Sequence, residues 1–183
     1  MNIKGVSIKN CQEYIEDNFG KEKWSEIFNE LGEGSKKHLP DGDIFPGNWY
    51  PIELFIEINE IIQRKYGEKN RRILRDAAKY GAMNNMKGIY RIFLKIATPE
   101  YALKRASMIF SQYFDEGTLK HTETGKDYLQ FQLDNVDENH VFFERFAGFV
   151  EGILASTSAK ASSIEYKHFK GEKRTVFDVY YKR

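Results

Sequence analysis

The side chains that could do chemistry in this chain of 183 residues are four histidines and one cysteine: His38, His121, His140, His168 and Cys11. The histidines form no HExxH motif, and a single cysteine forms no CxxC pair. His121 and His168 both fall on predicted strands, where they could meet across a sheet. Zinc needs three or four ligands, so two hydrogen-bonded strand histidines are the favoured interpretation. Cys11 has no activating base near it in sequence, which predicts an inert thiol.

Other catalytic motifs are missing from the sequence as well. It contains no GxSxG, P-loop or GxGxxG pattern. Asp41 and Asp43 flank Gly42 like a fragment of a calcium loop, but no carboxylate follows at the required spacing. These aspartates therefore indicate an ordinary turn. The residue chemistry predicts a protein that is not an enzyme and that carries no metal or cofactor.

The charge balance gives no support for a nucleic-acid partner. Lys and Arg number 28 against 27 Asp and Glu, for a net charge of +1. Nucleic-acid binding requires a surplus of positive charge interleaved with stacking aromatics. One local basic cluster exists, and it is interpreted as a solvated helix face; its members are Lys69, Arg71, Arg72 and Arg75.

The apolar composition is dominated by aromatic residues, which make up 15% of the chain, with 14 Phe and 11 Tyr. Such content favours a bulky core, an apolar cavity or an interface. No apolar run approaches 18 residues, so we expect no membrane span. The start of the chain has no apolar h-region, and a single cysteine suits a reducing compartment, so we expect a cytoplasmic protein.

The stretch 82–117 organises the predicted fold. It has two amphipathic helices joined at Ala97-Thr98-Pro99, with apolar residues recurring at spacings of three and four. Thr98 is a ready N-cap, Pro99 suits the first helical position, and Gly117 can end the second helix. Two helices with such apolar faces must be covered on more than one side.

The rest of the chain supplies the cover. Before the helix pair, the sequence predicts a strand over 3–8, a helix from the cap Asn10 to Phe19, a helix over 21–31, a loop over 32–47, a helix opened by 48–51 and ended by Gly67, and a helix over 68–81. After it, the period changes to two. The pattern predicts a hairpin over 118–134 with its turn at 124–126, a helix over 138–156 capped by Asp137, and a hairpin over 162–181 with its turn at 170–172.

This order predicts an α+β fold in a single domain over residues 1–183. A helical part, 1–116, packs on a β-β-α-β-β part, 117–183, whose antiparallel sheet has about four strands. Gly148 and Gly152 lie four residues apart on the helix of the β-β-α-β-β part. Two glycines inside a helix favour close packing, within or between subunits, and the alternative is room for a ligand.

Three motifs in order carry a resemblance to a known family. They are Trp49-Tyr50-Pro51, then 84–94 (NNMKGIYRIFL), then Tyr113 to Gly117 (YFDEG), with Pro99 between the last two. Over nearly the whole chain, the sequence resembles an uncharacterised bacterial family best known from myxobacteria. That family is similar in turn to the superfamily of heme–nitric-oxide sensors, 4-vinyl-reductase domains and vesicle-tethering (TRAPP) subunits. The resemblance implies an α+β fold that binds small apolar ligands or forms dimers, without enzymatic activity.

The chain departs from two branches of that superfamily. Heme-binding members use an axial histidine on a helix, followed by a Tyr-x-Ser-x-Arg motif, and this sequence has no such motif. Zinc-dependent phenol sensors carry paired cysteines around the last hairpin, and the corresponding segment here, His168 to Thr175, has none. The resemblance therefore does not extend to heme or zinc.

The favoured hypothesis is a cytoplasmic sensor or regulatory module that binds a small apolar ligand in a pocket between the helices and the sheet. A second hypothesis is a ligand-free dimerisation or scaffold module of TRAPP-like type, pairing with itself or another protein through the 50s or 140s helix. A third is a heme-based gas sensor. The predicted ligand-binding residues are Trp49, Tyr50, Tyr90, Phe93, Phe110, Tyr113, Phe142, Phe146, Phe149 and His168.

Overall fold

The architecture is a layer of helices packed on one face of an antiparallel sheet. A computed structural model describes residues 1–85, 97–157 and 159–182. The helices are α1 Gly5–Phe19, α2 Glu22–Glu30, α3 Glu33–Lys36, α4 Ile52–Tyr66, α5 Ile73–Asn85, α6 Pro99–Lys104, α7 Ala106–Tyr113 and α8 His140–Ala155. The strands are β1 Asn2–Lys4, β2 Trp49–Pro51, β3 Thr118–Gly125, β4 Tyr128–Asp134, β5 Lys160–Phe169 and β6 Arg174–Lys182. The predicted α+β class and β-β-α-β-β order are confirmed.

The main sheet has four strands in the order β3-β4-β6-β5, and every neighbouring pair is antiparallel. Its two faces differ as the period of two predicts. In β4, Leu129, Phe131 and Leu133 are fully buried under the helical layer, whereas the residues between them are partly exposed. The sheet therefore has a single apolar face, and that face receives the helices.

The N-terminal strand is shorter than the predicted 3–8. It spans only Asn2–Lys4, and α1 begins at once at Gly5. A Cβ at Gly5 would lie 2.2 Å from the backbone oxygen of Phe45, so only glycine allows the chain to pass there. Asn10 is consequently a buried residue inside α1, and its prediction as an N-cap is wrong.

Trp49-Tyr50-Pro51 forms the second strand of a small sheet with β1, and the prediction that it opens a helix is corrected. Pro51, with φ −54° and ψ 138°, still has extended backbone geometry, and α4 starts at Ile52. The backbone pairing with Asn2–Lys4 holds this segment in a strand.

The predicted helix over 68–81 has both boundaries wrong, because α5 starts at Ile73 and continues to Asn85. Residues 86–96, which include most of the first helix of the predicted pair together with Tyr90 and Phe93, lie outside the described residues. Beyond them, Thr98 caps α6 by accepting a hydrogen bond from the backbone N–H of Tyr101 at 3.3 Å, as predicted. At Arg105 the predicted second helix divides into α6 and α7.

Helix α8 is the central element, buried between α5 and the sheet. Its N-cap is Asn139, whose Oδ1 accepts from the Phe142 N–H at 2.9 Å. The predicted cap, Asp137, instead forms an ion pair with Lys173 at 2.8 Å. Asparagine is as good a cap as aspartate, so residue type could not decide between them.

The two glycines of α8 bring it against the backbone of α5. A Cβ at Gly148 would lie 2.2 Å from the Arg75 backbone oxygen, and one at Gly152 would lie 2.5 Å from the Cβ of Ala82. The prediction of close packing is confirmed, and the packing is within the chain. Among the described residues, no helix is long and apolar enough to cross a membrane.

Candidate functional site

A cavity of about 70 Å³ lies among β1, α1, α4, α5, α7 and α8. Helix α8 separates it from the main sheet, because Phe143 on the other side of the helix packs against Phe177 with ring centroids 5.9 Å apart. Of the described residues, none from β3 to β6 lines the cavity. The predicted pocket between helices and sheet is therefore corrected to a cavity between helices.

Aromatic rings are the largest group of side chains in the described part of the cavity wall. The ring-bearing residues of the wall are Phe55, Phe110, Tyr113, Phe114, Phe142, Phe146 and Phe149. The rings contact one another, with centroids 4.6 Å apart for Phe110 and Phe114 and 5.2 Å apart for Phe114 and Phe142. Small residues of α5, namely Ala78, Gly81 and Ala82, leave the space that these rings surround. The wall is suited to a small apolar molecule.

The structure brings together half of the predicted ligand-binding residues. Five of them line the cavity: Phe110, Tyr113, Phe142, Phe146 and Phe149. Tyr90 and Phe93 lie outside the described residues. For the five cavity residues and for Tyr90 and Phe93, a direct role in ligand binding stays a prediction.

The other three predicted residues lie elsewhere. Trp49 is 43% exposed, and the ammonium of Lys4 sits 4.1 Å from the centre of its ring. Tyr50 is buried, and its hydroxyl accepts a hydrogen bond from the Phe45 N–H at 3.0 Å, which fastens the preceding loop. His168 lies on β5, within 2.8 Å of the Thr175 hydroxyl.

Arg145 is the one charged residue among the described residues of the cavity wall, and it is 7% exposed. Its Nη1 donates to the Leu74 carbonyl at 3.4 Å and its Nη2 to the Cys11 sulfur at 3.3 Å, while Nε has no partner among the described groups. The guanidinium carbon lies 5.3 Å from the ring centre of Phe55. Burial lowers the pKa of Arg145, because a desolvated charge is disfavoured.

Cys11 lies beside this arginine and is fully buried. Its thiol donates to the Ser7 carbonyl at 3.3 Å. Burial raises the pKa of Cys11, and the nearby charge of Arg145 offsets that rise only in part. A thiol held protonated is a poor nucleophile, which agrees with the inert cysteine expected from the sequence.

A separate polar cleft of about 450 Å³ lies between α5, α8 and β5. Its two arginines form ion pairs: Arg72 contacts Glu151 at 2.7 Å, and Arg75 contacts both carboxylate oxygens of Glu144 at 2.6 and 2.9 Å. Two members of the basic cluster thus join α5 to α8. The interpretation of that cluster as a purely solvated face is incomplete.

The four histidines occupy separate places. His121 and His168 lie on β3 and β5, the opposite edges of the sheet, so they do not meet. His140 starts α8, and its Nδ1 is 2.9 Å from the hydroxyl of Tyr166. His38 lies between α3 and α4. No histidine lines the cavity, and within residues 1–85, 97–157 and 159–182 no group of three His, Cys, Asp or Glu side chains is placed to hold a metal.

Sequence comparison gives no relatives. No family model matches the chain, and no curated protein matches it. Comparison of the structure with solved structures does find similar folds. A mutant of the Fe(II) unliganded H-NOX protein from K. algicida matches with a TM-score of 0.74 at 13% identity, covering 99% of this chain and 97% of that chain. The chain has the H-NOX fold.

Other H-NOX structures agree with this assignment. A mutant H-NOX protein from S. oneidensis in the Fe(II) ligation state has a TM-score of 0.72 at 9% identity, covering 99% of this chain and 97% of that one. An oxygen-binding H-NOX domain related to soluble guanylate cyclases has a TM-score of 0.65 at 16% identity, covering 99% and 96%. The heme–nitric-oxide-sensor fold implied by the sequence resemblance is confirmed.

The H-NOX fold implies heme, but the described cavity does not fit it. Protein ligands to heme iron are His, Cys, Met or Tyr. Among the described residues of the wall, Tyr113 alone is of these types. Its hydroxyl accepts from Asn85 at 3.0 Å, and burial raises its pKa, so the phenolate ligand is disfavoured. A volume near 70 Å³ is also far below the roughly 300–1,000 Å³ of pockets for drug-sized ligands.

Sequence reasoning missed Arg145 and Asn10 as cavity residues. The signal for Arg145 was available, because it falls three residues after Phe142 and four before Phe149 on a helix that is otherwise apolar on that face. Asn10 was hidden by its prediction as a helix cap. Only the early start of α1 at Gly5 turns this asparagine into the interior.

Proposed function

We propose that this chain is a non-enzymatic sensor or regulatory module that binds a small apolar molecule in the cavity between its helices. The observation that carries the proposal is a cavity walled by aromatic rings in the interior of an H-NOX fold. Apolar concave sites with a few polar groups are the usual form of small-molecule sites. The H-NOX domain related to guanylate cyclases is described as binding oxygen, which is also a small molecule.

The cavity is placed so that occupancy would reach several elements at once. Its wall draws on α1, α5, α7 and α8, so a bound molecule contacts four helices, two of which, α7 and α8, pack against the main sheet. A ligand that favours one packing of these helices would shift the population toward that packing. This is how the module would report binding.

The first test is native mass spectrometry of freshly purified protein, followed by titration calorimetry with 1-hexanol as a neutral apolar probe. Phe149 and Phe143 provide matched variants on one helix, because the first lines the cavity and the second faces the sheet. We expect Phe149→Leu, which enlarges the cavity, to bind 1-hexanol more tightly than the wild type. Phe143→Leu should bind it like the wild type.

Negative results in both measurements would reject the proposal. If no molecule co-purifies, and neither the wild type nor Phe149→Leu binds 1-hexanol at millimolar concentration, the cavity is part of a filled core. Equal gains for Phe149→Leu and Phe143→Leu would also count against it, since loosened packing rather than cavity volume would then explain the binding.

A further inference from the structure

We propose that the molecule held in the cavity is a monocarboxylate with a short apolar tail, and that its carboxylate binds the guanidinium of Arg145. This inference rests on the proposed function, because it names the chemistry of the ligand at the same site. It is carried by two buried polar side chains that the protein leaves without adequate partners.

The charge of Arg145 has no counter-ion among the described residues. Its guanidinium has five N–H donors, and two of them make contacts, at 3.4 Å to a carbonyl and 3.3 Å to sulfur. Arg72 and Arg75, by contrast, each contact a carboxylate at 2.6–2.7 Å. Buried charges in proteins are normally paired, so the arginine at 7% exposure calls for an anion.

Asn10 is the second such side chain. It is 7% exposed, lines the same cavity, and makes no side-chain hydrogen bond within the part of the chain that the structure describes. A carboxylate accepts up to about four hydrogen bonds, so it can take a donor from the amide as well as from the guanidinium. Planar arginine pairs with a planar carboxylate through two parallel hydrogen bonds.

The remaining residues of the wall determine which kind of tail the carboxylate ligand can carry. A single guanidinium balances a single negative charge, which favours a monocarboxylate over a phosphate dianion. The rings of Phe110, Phe142 and Phe146 offer no hydrogen bond, so the rest of the ligand must be apolar. The cavity volume of about 70 Å³ requires that tail to be short.

The test compares hexanoate with 1-hexanol by titration calorimetry, since the two probes share a tail and differ in the head group. We expect the wild type to bind hexanoate at least tenfold more tightly than 1-hexanol. Arg145→Met should lose this preference while retaining its affinity for 1-hexanol, and Arg145→Lys should keep part of it. The control is Arg72→Met, in the polar cleft, which should leave the preference unchanged.

A thermal scan without ligand adds an independent readout. Because Arg145→Met removes an unpaired buried charge, the free variant should unfold at the same temperature as the wild type or higher. Arg72→Met should unfold at a lower temperature, because the buried Glu151 loses its 2.7 Å contact and keeps only the longer one with Arg75, at 3.7 Å. A large loss of stability in Arg145→Met alone would show that the arginine is structural and would overturn the inference.

The two proposals fail in different ways. If 1-hexanol binds as tightly as hexanoate in the wild type, or if Arg145→Met keeps the preference for hexanoate, the carboxylate inference is wrong and the apolar site stands. If neither probe binds, the proposed function fails, and the carboxylate inference fails with it.

Discussion

Gly148 occupies the point where the backbones of α8 and α5 come closest. An added Cβ would lie 2.2 Å from the backbone oxygen of Arg75 and 2.5 Å from its Cα, and neither atom can move without shifting α5. We expect Gly148→Ala to destabilise the protein by about 1–3 kcal/mol, because overpacking outweighs the roughly 1 kcal/mol gained in helix propensity. For a chain of this length that is a fall in melting temperature of about 2–12 °C, measurable by calorimetry.

Gly34 in α3 is the matched control, because an added Cβ there meets nothing within 4 Å. Gly34→Ala should leave the melting temperature unchanged or raise it slightly. If both glycines tolerate alanine equally, the two helices are less closely packed than this contact implies.

Among the contacts between elements, a bidentate ion pair between Arg75 and Glu144 links α5 to α8. Burial by itself raises the pKa of Glu144, but the hydrogen bonds and charge of Arg75 outweigh it, and the net result is a lowered pKa. A carboxyl with a lowered folded-state pKa stabilises the fold above its unfolded pKa of about 4.3. That contribution is lost as the pH falls through the folded-state pKa.

We therefore expect Glu144→Gln to lower the free energy of unfolding by about 1–3 kcal/mol at pH 7, since a charge-assisted pair is replaced by a neutral contact. The difference from the wild type should shrink as the pH falls through the lowered folded-state pKa of Glu144, because the wild-type carboxylate then becomes protonated. Urea denaturation at several pH values measures both. The exposed Glu68→Gln, just after α4, is the control. A difference that is constant across this range would rule out the ion pair as its cause.

The elements show how far sequence reasoning reached. The four strands, their alternation and the long helix between the hairpins followed from local periodicity, because each buries one face against the same layer. Errors occurred where a long-range contact decides the local structure. Trp49-Tyr50-Pro51 is a strand because β1 pairs with it, and Gly5, where α1 starts early, packs against the backbone of Phe45. Neither partner is near in sequence.

The candidate site divides in the same way. Apolar periodicity found the rings of α7 and α8 that line the cavity, since those stripes must face inward. Apolar periodicity cannot distinguish the side of α8 that faces the sheet from the side that faces the cavity, because both sides carry aromatic residues. Phe143 faces the sheet, and Phe142 lines the cavity. The sequence therefore predicts a pocket lined partly by the sheet. In the structure, α8 lies between the cavity and the sheet.

At the scale of the whole molecule, the burial of α8 also bears on assembly. Pairing with a second copy or another protein stays a prediction, but α8 is covered by α5 and by the sheet and cannot serve as the surface. Of the two helices named for that role, α4 retains an exposed face that includes Glu53, Glu60 and Arg64. Light scattering on the free protein is the direct measurement.

The chain has the H-NOX fold, but its described cavity does not fit heme, and this predicts the outcome of a titration with heme. Every histidine of the chain is described, and none lines the cavity, whose described wall contains packed aromatic rings. On titration of the protein with hemin under reducing conditions, we expect no Soret band of a histidine-ligated heme. The control is a triple variant, His121→Ala, His140→Ala and His168→Ala, and its spectrum with hemin should match that of the wild type. A stoichiometric band that survives gel filtration in the wild type and disappears in that variant would mean that the helices part to admit heme. The interior would then be a heme pocket, and the third hypothesis would replace the first.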